Sequence, residues 1–151
     1  MSFLLDTNVV LEWVKARPNS GVVAWLEAAD EDRVFASVVT LAELRYGIER
    51  LAAGSRRMRL DEWLKGELPL RFEGRLLPVD DGVADAWGTV VARSEALGRP
   101  ISAMDAFIAA TAEVHNLTLV TRNASDFTSS VKSIINPWTE GPTASLAAAR
   151  R

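Results

Sequence analysis

Short, almost continuously apolar runs alternate along this chain with longer segments whose apolar residues recur at helical spacing. The runs are Phe3-Leu4-Leu5, Val34-Phe35-Ala36-Ser37-Val38-Val39, Leu76 to Val79, Leu117 to Val120 and Val131 to Ile135. A strand that is apolar at every position has to be covered on both faces, as a parallel strand between helical layers is. Between the runs, Val9, Val10, Trp13 and Val14 keep helical spacing, as do Val22 to Ala29 and then Leu41, Leu44, Ile48 and Leu51. Further helices are expected over Arg56 to Gly66, Val83 to Leu97 and Ala103 to His115. The last is apolar nearly all round and so belongs in the interior. The alternation predicts an α/β domain, a three-layer α/β/α arrangement with a short, mainly parallel sheet of four to five strands.

At 151 residues with 48% hydrophobic and 25% charged residues, the chain suits one folded domain. We expect that domain over 1–138, followed by a tail, 139–151, with Gly141-Pro142 and an Ala-rich end. The absence of cysteine excludes disulfides, thiolate zinc sites and a cysteine nucleophile. The single histidine, His115, excludes multi-histidine metal sites, and its place at a helix end suits a dipole partner. Any metal chemistry must therefore use carboxylates. No basic leader precedes Phe3, and no run reaches the roughly 18 apolar residues of a membrane span, so a cytoplasmic protein is expected. A net charge of -3 argues against nucleic-acid binding through bulk charge, but not against a nucleic acid reached through bound cations.

Ligands of open parallel sheets sit outside the carboxyl ends of the strands, so acids just after strands are the ones to inspect. Asp6 follows the first run, Glu43 lies early in the helix after the second, Asp105 in the first turn of the buried helix, and Asp126 shortly after Val120. Each has a plain structural role open to it. Thr40-x-x-Glu43 and Ser102-x-x-Asp105 match capping boxes, and Thr7 and Asn8 suit the cap of the first helix. Jointly, four acids at one rim repel one another unless a cation neutralises them, and an oxygen-only set suits Mg²⁺ or Mn²⁺.

The segments Leu4-Leu5-Asp6-Thr7-Asn8 and Ser37-Val38-Val39-Thr40-Leu41-Ala42-Glu43-Leu44-Arg45-Tyr46-Gly47 resemble the first two motifs of PIN-domain ribonucleases. Ala103-Met104-Asp105-Ala106-Phe107-Ile108-Ala109-Ala110-Thr111-Ala112 and Leu119-Val120-Thr121-Arg122-Asn123-Ala124-Ser125-Asp126-Phe127 resemble the third and fourth. Their order and spacing are similar to the VapC toxins of type II toxin–antitoxin systems, and Ile135-Asn136-Pro137-Trp138 to their FitB-like branch. The resemblance implies a PIN-like fold and a Mg²⁺-dependent endoribonuclease, with Mn²⁺ as a possible substitute. Asp6, Glu43, Asp105 and Asp126 would be catalytic, with Asp6, Asp105 and Asp126 on the metal. Glu43 is left as either ligand or general base, and Asn123 competes with Asp126 for the fourth position. Thr7, Asn8, Thr121 and Asn123 would orient the carboxylates.

The same resemblance implies a cognate antitoxin, DNA contacted only through that antitoxin, and a homodimer within a larger complex. Trp13, Trp25 and Trp63 are candidates for the partner groove or dimer seam, or else for the core. Arg45, Arg56, Arg57 and Arg59 form the densest basic stretch and are candidate RNA contacts, or else a solvated helix face. A non-catalytic interaction module of the same fold and a housekeeping RNA-processing nuclease are the alternatives. An aspartyl-phosphate phosphatase is disfavoured, because Asn8 stands where that chemistry needs a second acid.

Overall fold

The computed structural model describes residues 1–140, so most of the expected tail lies outside the described residues. In chain order the elements are β1 (Phe3–Leu5), α1 (Thr7–Glu12), α2 (Ser20–Ala28), β2 (Val34–Ser37), α3 (Val38–Glu49) and α4 (Ser55–Glu62). They continue with α5 (Leu68–Arg71), β3 (Leu76–Leu77), α6 (Asp81–Ala96), α7 (Ala103–Val114), β4 (Thr118–Val120) and β5 (Ile134–Ile135). Every strand pair is parallel, and the order across the sheet is β3-β2-β1-β4-β5. The expected α/β class with a parallel sheet is what the chain adopts.

Successive residues of each strand go to opposite faces. Phe3, Leu5, Val34, Ala36, Val120 and Ile135 enter one core, while Leu4 and Leu119 enter the other. The first core is closed by Val9 and Val10 of α1, Val22 and Trp25 of α2, and Leu44 and Ile48 of α3, with Leu68 of α5 beside them. The second is closed by Val83 and Val90 of α6 and by Ala106, Ile108 and Ala109 of α7. Burial decides strand formation here. Leu4, Leu5, Leu119 and Val120 are 0% exposed, and each such side chain contributes roughly 1.5–3 kcal/mol. Intrinsic strand preferences span only about 1 kcal/mol, so two- and three-residue strands survive because helices cover both sides. Trp25 is fully buried, its ring edge-on to Phe3 at 5.0 Å, which assigns it to the core rather than to a partner groove. Trp13 and Trp63 are half-buried against the same core.

Several boundaries differ from expectation: β3 stops at Leu77 rather than Val79, β5 begins at Ile134 rather than Val131, and α6 begins at Asp81, ahead of Val83. The β2 strand stops at Ser37, and Val38-Val39 open α3 instead of extending the strand. The Ser37 hydroxyl accepts the Val39 N–H at 3.0 Å and caps the helix, so Thr40 is a buried interior residue and not the cap. Glu43 consequently falls beyond the first turn. At α1 the cap is Asp6, whose carboxylate accepts the Thr7 N–H at 2.8 Å, and not Thr7 or Asn8. The helix expected over Arg56 to Gly66 ends at Glu62 and widens into a π turn over Trp63–Glu67. At α7, by contrast, Ser102 caps as read, its hydroxyl accepting the Asp105 N–H at 3.2 Å.

Candidate active site

The chain steps from β1 outward to β2 and β3, and later places β4 on the other side of β1. Such a reversal opens a crevice at the carboxyl ends of the two central strands. Register sets what meets there. Leu5 lies beside Val120, so the next residues along, Asp6 and Thr121, face each other. The Asp6 N–H donates to the Val120 carbonyl at 2.9 Å, and Thr121 Oγ1 donates to Asp6 Oδ2 at 2.8 Å.

Asp6 is buried and heavily solvated by protein donors. Besides the Thr7 N–H on Oδ1, the Asn8 amide donates to Oδ2 at 3.3 Å. Thr121, itself 0% exposed, accepts from the Asn123 N–H at 3.1 Å and from Asn8 Nδ2 at 3.4 Å. Asn8 Oδ1 accepts the Arg122 N–H at 3.1 Å, tying the turn after β1 to the turn after β4. The position of the carboxylate is therefore set from both central strands.

Glu43 reaches the same place from α3. Thr7 Oγ1 donates to Glu43 Oε1 at 2.7 Å, and Thr7 Oγ1 also lies 3.1 Å from Thr40 Oγ1. Since the single Thr7 proton goes to Glu43, Thr40 is the donor in the second contact. Thr40 was legible only as a cap; its place three residues before Glu43 on one helix face was the available signal. Asp105, half-buried near the start of α7, shares a cavity of about 490 Å³ with the exposed Asp126. Asn123 is exposed, and only its backbone N–H joins the network.

Burial raises the pKa of Asp6 above the ordinary carboxylate range; its three donors oppose the rise and the charge of Asp126 adds to it. Burial likewise raises Glu43, opposed by Thr7 and reinforced by Asp6 and Asp105. Asp105 is raised by burial first and then by Asp6, with Asp126 adding further. Three acids pushed in one direction by burial and by one another are a site that lacks positive charge. Among the described residues no lysine, arginine or histidine pairs with any of them.

The candidate RNA-contacting arginines fare unequally. Arg45 is held by Asp61 at 2.7 Å and Glu49 at 3.2 Å, and Arg57 by Glu49 at 2.7 Å. Arg56 and Arg59 are exposed on α4. None of the four lines the cavity that holds Asp105 and Asp126. His115 ends α7 and borders Met1 and Ser2, at the opposite rim of the sheet.

A parallel α/β sheet with one buried and two half-buried acids from three separate segments at one rim defines a class of domain whose site is built from carboxylates. Comparison with known proteins gives that class its family. The PIN domain family model matches residues 3–129. The chain is 39% identical to toxin FitB of Neisseria gonorrhoeae over 135 residues, covering 89% of this chain and 97% of that protein. It is 38% identical to the VapC ribonuclease Y4jK of Sinorhizobium fredii, covering 89% and 96%. In three dimensions it matches the crystal structure of FitAcB from Neisseria gonorrhoeae with a TM-score of 0.86 at 38% identity, covering 91% of this chain and 99% of that one. The DNA-bound VapBC from Salmonella typhimurium matches with a TM-score of 0.76 at 27% identity, covering 91% and 98%. The chain belongs to the PIN-domain family, in its FitB and VapC branch.

Proposed function

We propose that this protein is a Mg²⁺-dependent endoribonuclease and the toxin of a toxin–antitoxin pair. The observation that carries this reading is the placement of Asp6, Glu43 and Asp105 at one rim, near enough for Asp6 to act on both others, each raised above its ordinary pKa by burial and nearby acids, with no cationic side chain among the described residues to offset them. Relatives named as VapC ribonucleases support the reaction class, and the FitAB and VapBC complexes support the partners.

The donor set fits a hard divalent cation. It consists of oxygens alone, and Asp6, Asp105 and Asp126 are the residues that would hold the ion. Among the described residues no three acidic or histidine side chains already converge as a finished cage. Mg²⁺ does not require one, since it keeps several waters and is commonly held by one or two carboxylates plus a substrate phosphate. When bound, such a cation supplies charge against the phosphate and acidifies an attacking water.

The side chains do the positioning. Thr121, Asn8 and the Thr7 N–H fix Asp6 from two strands. Thr7 occupies one oxygen of Glu43, which leaves Oε2 to take the proton of the attacking water, and a raised pKa suits that role. Between the two roles open to Glu43, the reading is therefore general base. The proposed partners are a small antitoxin that covers the acids, with DNA contacted only through it, and a second copy of the toxin in a larger complex.

The test is incubation of purified, antitoxin-free protein with tRNA and rRNA in Mg²⁺ or Mn²⁺, beside Asp6→Asn and an EDTA control. Discrete fragments lost with both Asp6→Asn and EDTA are expected. Folded protein that cuts none of these RNAs would favour a non-catalytic interaction module. Cutting without toxicity, and without relief by a co-encoded partner, would favour a housekeeping nuclease.

A further inference from the structure

The cavity beside the acids has a second wall that the reaction as described does not use. Arg99, Pro100 and Ile101 from the loop before α7, with Ser125 and Ser129 from the segment after β4, face the same space as Asp105 and Asp126. Arg99 is exposed, and among the described residues its guanidinium makes no hydrogen bond or ion pair. That sets it apart from Arg45 and Arg57, whose charges are already met by Glu49 and Asp61.

The backbone of Arg99 is nevertheless fixed. Its N–H donates to the Ser94 carbonyl at 2.9 Å, and the Gly98 N–H to the Glu95 carbonyl at 3.0 Å, closing the end of α6. Gly98 takes φ +69, a conformation that a side chain would resist, and Pro100 restrains the next step. A lone arginine set on a restrained loop at the edge of a carboxylate site meets the needs of an anion that has to lie beside those carboxylates. A planar guanidinium suits a phosphate, to which it can donate two parallel hydrogen bonds. The Ser102, Ser125 and Ser129 hydroxyls on the same walls can donate to phosphate oxygens or exchange bonds with a ribose 2′-hydroxyl.

We infer that Arg99 binds the phosphate next to the one hydrolysed, and that the cavity between the 99–102 loop and Ser125–Ser129 seats the intervening nucleotide of a single strand. This rests on the ribonuclease reading, and it places an RNA contact on the α7 side of the acids, in a cavity that none of the candidate arginines of α3 and α4 lines.

The experiment measures binding of a fluorescent single-stranded oligoribonucleotide across salt concentrations, in Ca²⁺ so that the RNA stays intact. Wild type, Arg99→Ala, Arg99→Lys and Arg57→Ala are compared, and KM and kcat for RNA cleavage in Mg²⁺ are measured on the same proteins. Arg99→Ala should weaken binding about tenfold, raise KM more than it lowers kcat, and flatten the logarithmic salt slope by about 0.7, as loss of one phosphate contact does. Arg99→Lys should restore the slope but only part of the affinity, since it keeps the charge and loses the fork. Equal affinity and slope for Arg99→Ala and wild type would overturn the inference, as would a larger loss from Arg57→Ala. If wild type binds the RNA but does not cleave it in Mg²⁺, the ribonuclease reading fails while the salt slope still decides Arg99. No RNA binding by wild type would overturn both.

Discussion

Thr7 Oγ1 donates to Glu43 Oε1 at 2.7 Å, joining the first turn of α1 to the middle of α3 across 36 residues of sequence. Of the interactions on Glu43 it is the one that most favours the charged form, against burial and the nearby Asp6 and Asp105. Thr7→Val keeps the shape and removes the donor. The pKa of Glu43 then rises further, and the acid limb of the kcat/KM profile should move to higher pH. Loss of such an orienting bond typically costs about 10–100-fold in activity. Thr7→Ser, which retains the hydroxyl, should leave the acid limb where wild type has it. A pH–rate profile of the three proteins in Mg²⁺ checks this.

Asp105 carries a stability cost in the absence of metal. Its folded pKa is raised by burial, then by Asp6 and Asp126, so between the ordinary value of 3.8 and the raised value the folded state binds more protons than the unfolded chain. Stability from this group therefore falls as pH rises through that window, and the penalty is fully present above the raised value. Asp105→Asn removes the charge. The metal-free variant should melt at a higher temperature than wild type at pH 7, while the gap closes toward pH 4 and RNA cleavage is lost. Thermal melts in EDTA at the two pH values test the sign.

In the core, Trp25 Nε1 is buried and finds no hydrogen-bond partner among the described residues. An orphaned donor costs about 1–3 kcal/mol, which offsets part of what the indole gains by packing on Phe3. Trp25→Phe should therefore destabilise by about 1 kcal/mol or less, whereas Trp25→Ala should cost about 3–5 kcal/mol. Urea unfolding of both variants checks the contrast.

Much of this architecture was legible because burial on two faces leaves an unusual mark, a strand apolar at every position. The β2–α3 boundary was not, since Val38 and Val39 suit a buried strand and a buried helix equally. A single hydroxyl decided it, that of Ser37 on the Val39 N–H. The acids stood out by position after the strands. The role of Thr121 was reached only through the family resemblance, because its contact lies 115 residues away in sequence, and that of Thr40, with a contact 33 residues away, was hinted at only by its place one turn before Glu43. The pairing within the basic stretch was only partly legible, for a related reason. Glu49 four residues beyond Arg45 was visible as a helical pair, but Asp61 meets Arg45 only once α4 folds against α3. Arg99, an isolated charge in a loop, gave no signal until the cavity around it was formed.

Asp6, Asp105 and Asp126 are proposed to hold a divalent cation. Calorimetric titration of Mg²⁺ or Mn²⁺ into the metal-free protein, repeated in buffers of different ionisation enthalpy, measures binding and proton release together. Acids with raised pKa values must give up protons to hold a cation. The account predicts binding accompanied by proton release that grows as pH is lowered toward the acids' range, with both strongly reduced in Asp6→Asn. Folded wild-type protein that binds neither ion, or binding left unchanged by Asp6→Asn, would contradict it.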